Sequence, residues 1–314
     1  MSKARAYTNI ALIKYWGKSD SLWNLPTTGS IGLTLDQLYT ETSAKINDDL
    51  KQDYFMLNGQ KTQNLKVMKV MNFLRDLTGD RRFVEIFSEN HVPTAAGLAS
   101  SASGFAALAM AASQAFGLSL DRKELSTIAR LGSGSASRSV FGGFSIWHAG
   151  HDHDSSFAES ILDPLNFDIR VIDILADEST KKISSSQGMQ LAQSAPNYAA
   201  WCSNSQKQID DMLAAIANSD LEKIGLIAEK NALAMHELNR TAIQAFDYFT
   251  QNTRDIIAAT KKLYNSGTLA FATIDAGPNV KVITNSENQS TVIETLKNYG
   301  EILVQKAGPG VTNV

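Results

Sequence analysis

Four short segments carry side chains whose type and spacing can do chemistry. The first, Pro93-Thr94-Ala95-Ala96-Gly97-Leu98-Ala99-Ser100-Ser101-Ala102-Ser103-Gly104, joins an expected strand to an expected helix. Small residues let a ligand approach the backbone, and a helix N-terminus offers unpaired N–H groups and partial positive charge, which suit phosphate. Ser100, Ser101 and Ser103 add hydroxyls for phosphate or Mg2+. No Gly-Lys-[Ser/Thr] is present, so this is not a Walker A loop. A tightly packed helix start with serine caps is the structural alternative. The second segment, Gly132-Ser133-Gly134-Ser135-Ala136-Ser137-Arg138-Ser139, embeds one arginine among small and hydroxyl residues. Arginine grips a carboxylate or phosphate through two parallel hydrogen bonds, or else pairs with a nearby acid as a structural group. The third, Lys14-Tyr15-Trp16-Gly17-Lys18, can line an anion pocket or end an ordinary amphipathic strand. The fourth, Thr273-Ile274-Asp275-Ala276-Gly277-Pro278-Asn279-Val280, places an acid between an apolar strand and a Gly-Pro turn. Active-site carboxylates sit there, and so do turn-forming ones.

The elements that must position these groups follow from periodicity. Alternation predicts strands over 31–35, 38–46, 54–57 and 82–89, with Asn58-Gly59 as a hairpin turn. Helical spacing covers 64–78 and 101–116, and Asp121 with Glu124 reads as a capping box opening a helix that stops near Gly132. Strands follow over 143–148 and 167–175. A Ser- and Lys-rich break over 177–188 suggests two domains, 1–182 and 183–314. Beyond it, helical patterns cover 190–217, 220–247 and 251–265, with a second capping box at Ser219 and Glu222. Strands over 268–274 and 280–284, a helix from Ser286 to about Tyr299 and a strand over 302–305 complete an α+β chain.

Composition narrows the partners. The formal net charge is −3, from 29 basic and 32 acidic residues, so neither nucleic acid nor an acidic membrane is expected, and an anionic ligand needs a local basic site. No run approaches the roughly 18 apolar residues of a membrane helix, and the first residues lack the apolar stretch of a secretion signal. A single cysteine, Cys202, rules out an internal disulfide; a cytoplasmic setting is the expectation. The run from His148 through His151, Asp152, His153 and Asp154 reads as a polar loop more than a metal site, and His236-Glu237 lacks the second histidine of a zinc-protease helix.

Taken in order, the four segments resemble the superfamily of galactokinase, homoserine kinase, mevalonate kinase and phosphomevalonate kinase. Within it, Asn9-Ile10-Ala11-Leu12-Ile13-Lys14-Tyr15-Trp16-Gly17-Lys18, the 133–139 run, Ser184-Ser185-Ser186-Gln187-Gly188-Met189 and Asp275-Ala276-Gly277-Pro278-Asn279 resemble the mevalonate diphosphate decarboxylases over nearly the whole chain. The resemblance implies a first domain like the second domain of ribosomal protein S5, a ferredoxin-like second domain and an active site in the cleft between them. It implies decarboxylation of (R)-5-diphosphomevalonate to isopentenyl diphosphate, with ATP as co-substrate and Mg2+ as cofactor, in a homodimer. Carried over by position, Asp275 is the catalytic carboxylate, Arg138 holds the substrate carboxylate, and Lys14 assists at the reacting end. Tyr15, Lys18, Ser133, Ser135 and Ser185 bind substrate. Gly97, Leu98, Ala99, Ser100, Ser101 and Ser103 hold the ATP phosphates, with Ser101 on Mg2+. Tyr7 stands where related chains often carry Pro or His, and Ser186 where some bacterial relatives carry Arg. A 3-kinase on the same fold, a decarboxylase of the monophosphate and a silent binding protein are the competing readings. Retention of Asp275 and of the lysine-containing block speaks against the first, and retention of every polar residue in the matched blocks against the last.

Overall fold

The computed structural model describes residues 1–91, 100–175 and 182–314. The chain enters as β1 (Ser2–Ile13), makes a ribbon of β2 (Lys18–Asp20) and β3 (Leu25–Pro26), and returns antiparallel along β1 as β4 (Ser30–Ile46). The hairpin of β5 (Tyr54–Leu57) and β6 (Gln60–Lys61) turns at Asn58-Gly59, both at positive φ. In α1 (Leu65–Thr78), Asn64 accepts from the N–H groups of Lys66 and Val67, and Gly79 ends the helix in the left-handed region. Then come β7 (Val84–His91), α2 (Ser100–Ala115), α3 (Arg122–Gly132) behind the Asp121–Glu124 capping box, α4 (Ala136–Ser139), β8 (Phe144–Trp147) and β9 (Ala158–Leu162). The remainder comprises β10 (Arg170–Leu175), α5 (Ser185–Ala192), α6 (Tyr198–Ala217), α7 (Leu221–Thr241), α8 (Gln251–Asn265), β11 (Phe271–Ile274), β12 (Val280–Thr284), α9 (Ser286–Leu296), β13 (Glu301–Gln305) and β14 (Thr312–Asn313).

Two sheets organise a two-domain α+β molecule. The first runs β14-β1-β4-β7-β5-β6, with β8 on the early half of β4 and β9 on β8; the second runs β11-β12-β10-β13. An apolar cluster of Val70, Met71, Ile86, Ala106 and Leu131 packs α1, α2 and α3 on the first sheet. Ile172, Val282, Ile256 and Val292 pack α8 and α9 on the outer face of the second. Between the sheets, Ile10, Leu12 and Leu33 meet Val171, Phe271 and Ile283 under α6 and α7. Each such buried side chain contributes about 1.5–3 kcal/mol, so this cluster is what sets the two domains against each other. Among the described residues no helix is long and apolar enough to cross a membrane.

Several expected boundaries move. The two strands read at 31–35 and 38–46 are one, β4; the apparent break is an irregularity in its register opposite Tyr7 and Asn9. β1 and β9 do not stand out from the surrounding sequence pattern, and the 190–217 pattern is two helices with a turn at 194–197 between them. The cap of α7 is Asp220, which accepts from the Lys223 N–H, while Ser219 sits at φ 54°; the cap of α9 is Asn285. The sheet boundary also departs from the 182/183 division. β10 precedes that point in sequence yet pairs with β12 and β13, and β14 returns to pair with β1.

Candidate active site

The first sheet delivers Lys14 one residue past the end of β1, and the second delivers Asp275 one residue past the end of β11. Their side chains meet, with Lys14 Nζ donating to Asp275 Oδ1 at 2.8 Å. Lys14 is fully buried, but the Asp275 side chain is 34% exposed, so the pair is reached from the carboxylate side. Burial pushes the Lys14 pKa down, Asp275 pulls it back up, and Lys281 and Arg138 push it down further. The turn after β11 is made by backbone, the Gly277 N–H donating to the Asp275 carbonyl at 2.8 Å, which leaves the carboxylate for Lys14. Helix α7 pins the segment from the other side. The Lys14 N–H donates to Asn231 Oδ1 at 2.8 Å and the Trp16 indole to Asn239 Oδ1 at 2.9 Å. At Gly17 a side chain would collide with the Tyr198 hydroxyl, which lies 3.2 Å from the Trp16 carbonyl, to which it can donate, and 3.0 Å from the Thr27 hydroxyl.

Arg138 projects from α4 into the same cleft and is 2% exposed. Its hydrogen bonds go to neutral acceptors, Nε to Asn9 Oδ1 at 3.1 Å and NH1 to the Ser30 hydroxyl. Asn9 in turn donates to the Ser135 carbonyl at 3.0 Å and the Ser139 hydroxyl at 2.7 Å, so it orients both the guanidinium and its loop. Gly32 lies under the arginine stem; a Cβ there would come within 2.7 Å of Nε. Burial pushes Arg138 down to about 10, with Asp275 and Tyr15 opposing. A desolvated guanidinium held by neutral groups is a site prepared for an anion.

The same cleft is also lined by Tyr15, Lys18, Ser101, Ser133, Ser135, Ser185 and Ser186 among others. Ser133 Oγ lies 3.2 Å from the hydroxyls of both Ser101 and Ser135, forming a short hydroxyl row between the start of α2 and the arginine loop. Tyr15 packs edge-on against Trp147 at 4.8 Å, and Gly134 leaves room for both rings. Lys18 reaches Ser186 at 3.4 Å; its pKa is lowered by burial first and then by Lys66 and Lys69, a basic grouping at the mouth. This supplies the local positive charge that the acidic whole requires.

Not every expected residue comes here. Gly97, Leu98 and Ala99 lie outside the described residues. Ser103 turns away: it is fully buried and bonds Thr40 Oγ1 at 2.8 Å and the Ser100 carbonyl, because the fourth residue along a helix start points inward to the sheet. Ser100 lines a neighbouring cleft with Asn64, Val67, Asn90 and Phe105; Ser101 lines both clefts. Asn9 and Lys66 were missed. Asn9 opens the segment that runs to Lys18, but only the tertiary contact to Arg138 gives it a task. The histidine loop has other partners: His148 meets Glu159 at 2.7 Å, and His153 packs on Trp23 and Phe73 and meets Arg130. No cluster of three or more metal-ligating His, Cys, Asp or Glu occurs among the described residues. The hydroxyl row suits Mg2+ carried on a nucleotide's phosphates, since that ion keeps waters and takes few protein ligands.

Comparison with known proteins matches this geometry to a family. Residues 6–158 match a diphosphomevalonate decarboxylase-like N-terminal domain, and residues 171–307 a mevalonate 5-diphosphate decarboxylase C-terminal domain. Diphosphomevalonate decarboxylase of Debaryomyces hansenii is 34% identical over 95% of this chain and 83% of its own, and that of Saccharomyces cerevisiae is 34% identical over 95% and 81%. The crystal structure of mevalonate diphosphate decarboxylase from Staphylococcus aureus superposes with a TM-score of 0.95 at 38% identity, covering 100% of this chain and 97% of that one. MDDEF in complex with MVAPP, AMPPCP and magnesium superposes at 0.94 with 39% identity, covering 100% and 98%. By sequence over both domains and by structure over its whole length, the chain belongs to the diphosphomevalonate decarboxylase family.

Proposed function

We propose that this chain uses MgATP to phosphorylate the tertiary 3-hydroxyl of (R)-5-diphosphomevalonate and then releases phosphate and CO2 to form isopentenyl diphosphate. The observation that carries the assignment to this cleft is the Lys14–Asp275 pair, buried on the lysine side and open on the carboxylate side, beside Arg138.

A tertiary alcohol is a poor nucleophile and a poor leaving group. Asp275 accepts a hydrogen bond from the 3-hydroxyl and takes its proton as the oxygen attacks the γ-phosphorus and ADP leaves. Lys14 fixes the direction of that carboxylate, which two separate domains supply and receive. The C3–O bond then breaks with its electron pair leaving on phosphate. The pair of the C1–C2 bond becomes the new C2=C3 double bond as CO2 departs. Arg138 clamps the carboxylate until that step, its planar fork held by Asn9 and Ser30. Tyr15, Lys18, Ser133, Ser135 and Ser185 bind the rest of the substrate, with Lys18 and Lys66 facing the diphosphate. Ser101 joins the two clefts, so ATP placed with its base in the neighbouring cleft presents its phosphates at the start of α2 beside Ser100; the family resemblance assigns Gly97, Leu98 and Ala99 to the same phosphates. Ser101 would hold a Mg2+ ion carried on those phosphates, which would neutralise part of their charge.

The test is a coupled ATP-turnover assay with CO2 detection, run on both mevalonate phosphates. ATP consumption and CO2 release at equal rates, on the diphosphate only, is the expected result. ATP consumption without CO2 would make it a 3-kinase, and preference for the monophosphate would change the substrate. We further infer a homodimer in the cytoplasm, on the family resemblance and the half-buried, single Cys202; sedimentation at micromolar concentration checks the former.

A further inference from the structure

The second sheet carries a charge that the reaction as derived does not use. β12 lies between β10 and β11, and all five of its residues are buried, yet its second position is Lys281. Alternation puts Lys281 on the same face as Ile283, the face turned toward the first domain and the cleft. Register sets Thr273 beside it on β11 and Asp173 beside it on β10. Asp275 lies two residues beyond Thr273, and a diagonal neighbour at about 7–8 Å is within reach of a long side chain. Lys281 Nζ is 3.8 Å from Asp173 Oδ1, and Asp173 Oδ2 accepts from Gln305 Nε2 at 2.5 Å. Lys281 is 6% and Asp173 1% exposed. A buried pair this long returns little of its desolvation cost, and an apolar pair of similar volume would serve packing as well.

We propose that Lys281 is a positioning residue for this reaction: held by Asp173 behind the floor of the cleft, its ammonium is a fixed positive charge that tunes the Lys14–Asp275 pair. The inference rests on the proposed role of that pair. The charged or titratable groups near the Lys14–Asp275 pair are Arg138 on α4, Lys281 on β12, Asp173 on β10 and His236 on α7. Burial pushes His236 down to about 3, so it contributes no charge near neutrality. Lys281 and Arg138 both disfavour a proton on Lys14, and burial holds Asp173 above the usual carboxylate range while Lys281 opposes. A cation here lowers the proton affinity of the Lys14–Asp275 pair and keeps it able to accept the hydroxyl proton.

The experiment is the pH profile of kcat for the full chain with diphosphomevalonate and MgATP. Lys281→Met should move the acid limb up by about one pH unit, lowering kcat about tenfold on the acid side of the limb and little on the plateau, with KM within about twofold. Lys281→Arg should leave the limb at its parental pH. Asp173→Asn removes an anion and should move the limb down, and it carries the test if Lys281→Met does not fold. Parental limbs in Asp173→Asn and in any folded Lys281→Met, whatever their melting temperatures, would reduce the pair to a structural role and overturn the proposal. Failure of the site reading shows differently, as parental turnover in Asp275→Asn.

Discussion

Lys14 and Asp275 stand 261 positions apart in sequence, and Nζ of one lies 2.8 Å from Oδ1 of the other. The contact joins the ends of two strands in two different sheets. Neither residue has a function that its own segment explains.

The first prediction follows from that contact. Asp275→Asn preserves the turn, which uses the Asp275 backbone carbonyl. It cannot take the hydroxyl proton, so kcat should fall by about 10²–10⁴ with KM for both substrates little changed. Asp275 is the exposed partner and Lys14 the buried one, so removing the anion strands a cation and the melting temperature should drop. Steady-state turnover beside a melting curve measures both; parental kcat in a folded variant would retire Asp275.

Lys14 also makes stability depend on pH. Its pKa is lowered from 10.5 on folding, with burial the largest cause. Between that lowered value and 10.5 the unfolded chain binds more protons, so this residue's contribution to stability rises with pH through the window. Lys14→Met should remove that rise from a plot of melting temperature against pH. A slope identical to the parent's would mean that Lys14 is not desolvated.

Arg138→Lys keeps a positive charge but loses the planar fork that Asn9 and Ser30 hold in place. CO2 release should fall by about 10²-fold or more while ATP affinity stays within about twofold. Turnover and nucleotide binding measured on the same preparation decide it; parental turnover would remove the clamp role.

The two serines of the phosphate-loop helix should separate. Ser101→Ala should weaken MgATP binding or turnover by about tenfold without changing stability, since its hydroxyl is exposed to the cleft. Ser103→Ala should leave ATP binding unchanged and cost about 1 kcal/mol of stability, through the lost bond to Thr40. Equal effects of the two on ATP affinity would undo the distinction.

Local order was legible in the sequence wherever neighbours along the chain determine it. Asn64 and Gly79 bound α1, Asp121 and Glu124 open α3, and Asn58-Gly59 turns its hairpin, because caps and turns depend on a few adjacent residues. The four chemical segments could be picked out for the same reason, since small residues, hydroxyls and embedded cations are local properties. What the sequence could not resolve was every choice set by distant partners. Arg138 reads alone as clamp or structural pair; Asn9 and Ser30, 129 and 108 positions away, orient it toward the cleft. Asp275 reads alone as base or turn former; the fold assigns the turn to its backbone and the side chain to Lys14. Ser101 and Ser103 are equivalent in sequence, and the helix's inward face against β4 separates them. Side-chain direction and burial depend on which elements pack together, so sequence determined the candidate groups, and tertiary packing decided which face the cleft and with what charge.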